Sequence, residues 1–148
     1  MGRLKILIVD DHELFKRGVR SLLESHPELE VCGEAADGLE ATEKAKQLQP
    51  DIVLMDITMP RMDGLQATRV IRRDVPGSKV LVLSQHDSPQ MLSEALKAGA
   101  SAFVTKSQTS LYLLAALDAV AHGRPFHGDS GDGGAAPKTK AARKNTSA

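Results

Sequence analysis

The sequence contains no tryptophan, one tyrosine and three phenylalanines in 148 residues. Any core must therefore be aliphatic, built from the Leu, Val, Ile, Ala and Met that dominate its 41% apolar content. A single cysteine, Cys32, excludes an internal disulfide and fits a reducing compartment. It stands in a short apolar segment with no basic neighbour, so it reads as a small hydrophobe rather than a reactive thiol. No apolar run approaches the ~20 residues of a membrane span, and the first six residues lead straight into a strand pattern with no signal peptide. The expectation is a soluble cytoplasmic protein. Charge imbalance is missing too: 19 basic and 19 acidic side chains cancel, leaving no overall footprint for nucleic acid or an anionic membrane. Neither GxGxxG nor a GxxxxGKS/T loop follows the first apolar run, and no His/Cys spacing suits zinc.

What is present is an alternation. Short apolar runs at residues 6–9, 30–35, 52–55, 80–83 and 102–104 are separated by longer segments of helical period. The runs are apolar on successive residues, as strands covered on both faces of a parallel sheet must be. The helices carry their own punctuation. Asp37 can cap the second, with Glu40 reaching back. Ser88 caps the fourth, Pro89 opens it and Gly99 closes it. Five such units predict a doubly wound (βα)5 α/β sandwich; its parallel sheet order, 2-1-3-4-5, is taken over from the flavodoxin-like fold. The pattern ends near Gly123. Residues 1–123 are read as one domain, and 124–148, rich in Gly, Ala, Ser and Lys, as a flexible tail or linker. That tail has five basic and two acidic residues, net +3, so residues 1–123 carry fourteen against seventeen, net −3.

In open α/β sheets, ligands sit at the carboxyl ends of the strands where the order reverses. The first strand ends in Asp10-Asp11, the third in Asp56, the fourth in Ser84 and the fifth in Lys106. Singly, each has an ordinary reading as a turn acid, a helix cap, a loop hydroxyl or a solvated lysine. Together they bring three carboxylates, a hydroxyl and an ammonium to one edge. Like charges at ~4 Å repel by about 4 kcal/mol at an effective dielectric near 20, so the cluster calls for a proton or a cation. An all-oxygen set with few protein ligands suits Mg²⁺, completed by water and phosphate oxygens. His12 and His86 could approach the same edge, but are read as surface residues.

These residues resemble the receiver domains of two-component response regulators. The resemblance is carried by Val9-Asp10-Asp11-His12, by Met55-Asp56-Ile57-Thr58-Met59-Pro60 with Asp63-Gly64, by Leu83-Ser84, and by Phe103-Val104-Thr105-Lys106. The Asp-Asp-His start and Gly123-Arg124-Pro125-Phe126 are similar to the NarL/FixJ-like class. The resemblance implies that Asp56 accepts a phosphoryl group from a sensor histidine kinase. It implies that Asp11, Asp56 and the Thr58 carbonyl hold Mg²⁺, with Asp10 acting through a water. Ser84 would hydrogen-bond the phosphoryl group, Lys106 would pair with Asp56 and then with that group, and Phe103 would be an aromatic switch turning inward. The output would be dimerisation or partner binding through the surface of the fourth helix, fifth strand and fifth helix. No helix-turn-helix pattern follows Arg124, so direct DNA binding is not expected. The chain reads as a stand-alone receiver or the receiver half of a truncated transcription regulator. It is expected to be a phosphoacceptor with self-catalysed phosphotransfer and autodephosphorylation only, not an enzyme with a separate substrate. The alternative is a receiver-like binding module that does not cycle. A phosphohydrolase of haloacid-dehalogenase type is disfavoured, because Asp10-Asp11-His12 lacks the required Asp-x-Asp.

Overall fold

The computed structural model describes residues 3–86 and 88–127. In chain order the elements are β1 (Leu4–Val9), α1 (Glu13–Glu24), β2 (Leu29–Ala35), α2 (Gly38–Leu48), β3 (Ile52–Asp56), α3 (Gly64–Asp74), β4 (Lys79–Ser84), α4 (Pro89–Ala98), β5 (Ala102–Thr105), a 3-10 turn (Lys106–Gln108), α5 (Thr109–Ala121) and β6 (Phe126–His127). All strand pairs are parallel, and the sheet order is β2-β1-β3-β4-β5-β6. The expected 2-1-3-4-5 order is present, with one short strand added at the β5 edge.

The alternation of side chains along each strand sorts the core into two halves. Leu7, Val9, Val53, Met55, Val80, Val82 and Phe103 pack with the apolar faces of α2, α3 and α4. Ile6, Ile8, Ile52, Leu54, Leu81, Leu83 and Val104 pack instead with α1 and α5. Strands apolar at every position are thus explained by two covered faces. Cys32 is half-buried against the first half of the core, and burial pushes its thiol up.

Side-chain caps satisfy free N–H groups at the starts of α2, α3 and α4. The Asp37 carboxylate accepts from the Glu40 N–H at 2.9 Å, while Glu40 reaches back to the Ala36 N–H at 2.8 Å. Asp63 and Gln66 form a reciprocal capping box at the start of α3. Ser88 accepts from the Met91 N–H at 3.1 Å, with Pro89 at the first turn. Replacing Ser88 by Ala is expected to lower the unfolding free energy by about 1 kcal/mol, measured by urea denaturation.

A short strand follows residue 123, where the tail was expected to begin. Gly123 turns the chain at φ 75°, the Arg124 N–H donates to the Ala119 carbonyl at 2.8 Å, and Phe126 pairs with Ala102 in register. Phe126 packs on the α5 side of the core, its ring 6.1 Å from that of Tyr112. One aromatic among polar and small residues was too weak a pattern to read as a strand, yet it suffices once β5 offers an open edge. The rest of the expected tail, 128–148, lies outside the described residues. Among the described residues, no helix is long and apolar enough to cross a membrane.

Candidate functional site

The acids at the carboxyl ends of β1 and β3 and the lysine after β5 lie together, and Ser84 ends the adjoining strand β4. Asp10 and Asp56 are 1% and 4% exposed, Ser84 is buried, and Asp11 stands open to solvent. One ligand atom from each of Asp10, Asp11, His12 and Asp56 can be chosen so that all lie within 4.8 Å of one another. His12, read from sequence as a surface residue, is exposed and also borders the cluster. Its Nδ1 is 3.0 Å from Asp10 Oδ1 and 3.2 Å from Asp11 Oδ1, and its backbone N–H donates to Asp10 Oδ1 at 2.7 Å. The signal for this was its adjacency to the acidic pair: a two-residue turn at a strand end leaves it nowhere distant to go.

Lys106 enters from the 3-10 turn after β5, its side chain nearly buried. Its ammonium lies 2.6 Å from Asp10 Oδ2 and 3.4 Å from Asp56 Oδ1. The expected pairing with Asp56 is the longer of the two contacts. Asp10 is the more deeply buried acid, so its charge has the greater need of a close counter-ion. The Asp10 contact is an ion pair off the line of a hydrogen bond, and Asp56 Oδ2 is buried with no hydrogen-bond partner among the described residues. Burial, reinforced by the neighbouring Asp10 charge and opposed by Lys106, pushes the Asp56 carboxyl up to about 6.

Ser84 Oγ accepts the His86 backbone N–H at 3.0 Å. Thr58 is exposed, two residues beyond Asp56. Phe103 is 2% exposed and sits in the α4 half of the core, already turned inward. A second group of charges, Lys16, Arg20 and Glu34, ties α1 to β2 and takes no part in the cluster.

The donor set fits a divalent cation. An orphaned buried oxygen on Asp56, two further carboxylates within reach and, among the described residues, one ammonium leave an excess of negative charge that a hard ion would satisfy. The site is thus a buried, cation-ready carboxylate at a strand end, with a lysine beside it and a hydroxyl on the adjoining strand.

The family model for the response regulator receiver domain matches residues 6–118. The chain belongs to the response regulator receiver family. The receiver is 41% identical over 125 residues to the transcriptional regulatory protein DegU of Brevibacillus brevis, covering 84% of this chain and 53% of that protein. It is 35% identical over 122 residues to the transcriptional regulatory protein LiaR of Bacillus subtilis, covering 82% and 58%. Among solved structures, it superposes at TM-score 0.82 and 37% identity on a LuxR-family response regulator from Aurantimonas sp. SI85-9A1, covering 86% of this chain and 91% of that one. The receiver domain of the putative response regulator NarL from Mycobacterium tuberculosis matches at TM-score 0.80 and 36% identity, covering 84% and 100%. These are the NarL-like relatives that the Asp-Asp-His start implied. The receiver spans about half the length of the curated relatives it matches.

Proposed function

We propose that Asp56 accepts a phosphoryl group from the phosphohistidine of a sensor histidine kinase, and that the receiver reports this through the surface of α4, β5 and α5. The observation that carries the reading is Asp56 itself: a buried carboxylate at the end of β3 with one oxygen unengaged, facing Lys106 and two further acids.

One oxygen of Asp56 attacks phosphorus, the bond from phosphorus to the imidazole nitrogen breaks, and the kinase histidine leaves with that electron pair. Such transfers need positioning and neutralisation of the phosphoryl oxygens more than covalent chemistry from the protein. Lys106 stands close enough to shift from the acids to a phosphoryl oxygen. Ser84, which uses Oγ to accept from His86, keeps its own hydroxyl proton to donate to another. Mg²⁺ would be held by Asp11, Asp56 and the Thr58 carbonyl, with Asp10 acting through a water, and when bound would supply charge neutralisation. The new charge of about −2 then biases the β4–α4 loop through Ser84, and Phe103, buried on β5, would be the switch that follows it. Dimerisation or partner binding at α4-β5-α5 is the output, in the cytoplasm. Phosphotransfer and autodephosphorylation are self-catalysed.

The test is intact-mass spectrometry after incubation with acetyl phosphate and Mg²⁺. One phosphoryl group is gained, and the gain is lost with chelator and with Asp56→Asn. No adduct with either acetyl phosphate or phosphoramidate overturns the reading.

A further inference from the structure

The ammonium of Lys106 has a third neighbour besides its two acids. Phe15, on the first turns of α1, presents its ring so that the Lys106 Nζ lies 4.6 Å from the centroid. Phe15 is half-buried, packed against the α1 and α5 half of the core, and so spans the gap between that core and the site. The sequence has only three phenylalanines. Phe103 is buried in one half of the core and Phe126 packs against the other. A leucine would serve Phe15's packing role as well as it serves elsewhere in this aliphatic protein, so the aromatic face over a charge is the feature to explain.

We propose that Phe15 is a positioning residue for Lys106, roofing the ammonium so that it moves between the acids and the phosphoryl group without being captured by water. This rests on the reading of Asp56 as the phosphoacceptor. A ring face attracts a cation through its quadrupole but offers no lone pair with a fixed direction. It therefore stabilises the ammonium without competing with Asp10, Asp56 or a phosphoryl oxygen for its three protons. It also excludes water from one side, which strengthens every remaining charge contact. With acetyl phosphate the step is attack of an Asp56 oxygen on phosphorus, with cleavage of the bond from phosphorus to the acetyl oxygen. Acetate departs with the electron pair and no proton is moved. Lys106 meets the phosphoryl oxygen in that step, so its placement affects the rate of transfer more than the binding of the donor.

The test uses the full chain and five variants, of which Lys106→Arg serves only to assign resonances. Phe15→Leu keeps apolar volume and removes the ring, Phe15→Tyr keeps the ring, Leu14→Ala changes an exposed neighbour on α1, and Asp56→Asn blocks transfer. Phosphorylation by acetyl phosphate at saturating Mg²⁺ is expected to slow roughly two- to thirty-fold in Phe15→Leu. The loss falls in the limiting rate and not in the donor concentration giving half of it. Phe15→Tyr restores the rate, and Leu14→Ala matches the parent. In proton NMR, the Lys106 ε-methylene resonances, assigned by their loss in Lys106→Arg, are shifted upfield by the ring in the parent and in Phe15→Tyr but not in Phe15→Leu. An unchanged rate in Phe15→Leu overturns the proposal, as does a methylene shift indifferent to the ring. A loss in both Phe15 variants that tracks their melting temperatures also overturns it, since the role is then structural. If the parent takes up no phosphate and equals Asp56→Asn, the phosphoacceptor reading fails, while the methylene shift still decides the contact.

Discussion

In the metal-free protein, replacing Asp56 by Asn will raise the unfolding free energy at pH 7.5 by about 2–3 kcal/mol, and the gain will vanish near pH 4. The sign follows from the direction of the shift. Asp56 titrates at about 6 in the folded chain and near 3.8 when unfolded, because burial and the adjacent Asp10 charge outweigh Lys106. Below both values the carboxyl is neutral in each state and contributes nothing. As pH rises from about 4 to about 6, the unfolded chain releases its proton while the folded one keeps it, so stability falls. Above that range the folded protein carries an ionised carboxylate in a site that disfavours it. A difference of about two pKa units corresponds to about 3 kcal/mol, and Asn removes it at nearly constant volume. Urea denaturation of both proteins in chelator at three pH values measures the effect. Adding Mg²⁺ should close the gap by stabilising the parent alone. A gap independent of pH would mean that Asp56 is ionised at no cost in the fold. A buried acid that destabilises the resting domain is what the proposed phosphoacceptor would require.

The same site shows how far sequence reasoning reaches. Asp10, Asp11, Asp56, Ser84 and Lys106 were legible because each terminates an apolar run, and strand ends are a local property. Their meeting followed from topology, which the alternation of strands and helices restricts to a few choices. What lay beyond reach depends on side-chain paths between elements. That Lys106 sits nearer to Asp10 than to Asp56, or that Phe15 from α1 covers a lysine 91 positions later, leaves no periodic trace. Phe126 failed for a different reason. A two-residue strand is too short for any period, and only the open edge of β5 and the ring of Tyr112 give it a place.

Gly64→Ala will destabilise the receiver by about 2–3 kcal/mol and slow phosphorylation of Asp56 by tenfold or more, on the order expected when a reacting group is displaced by a fraction of an ångström. Helix propensity alone predicts the opposite, since Ala is favoured over Gly by about 1 kcal/mol inside a helix. Space decides the sign. Gly64 opens α3 with its N–H donating to the Ile57 carbonyl at 2.8 Å, which draws the helix start against the end of β3. A Cβ there would collide with the carbonyl group of Asp56 and with the Ile57 Cα, all of it backbone that no rotamer change can clear. Relief requires α3 to withdraw or the β3 end to shift, and either displaces the Asp56 carboxylate from Lys106. Overpacking of this kind costs about 1–3 kcal/mol before the lost hydrogen bond is counted. Gly18 supplies the contrast. It lies within α1 with nothing within 4 Å of an added Cβ, so Gly18→Ala is expected to stabilise by about 0.5–1 kcal/mol and leave phosphorylation unchanged. If Gly64→Ala behaved like Gly18→Ala, the close approach of α3 to β3 would not be what fixes the Asp56 backbone. The glycine that follows Asp63 is thus explained by the proposed phosphoacceptor eight residues before it, whose backbone leaves room for no larger residue.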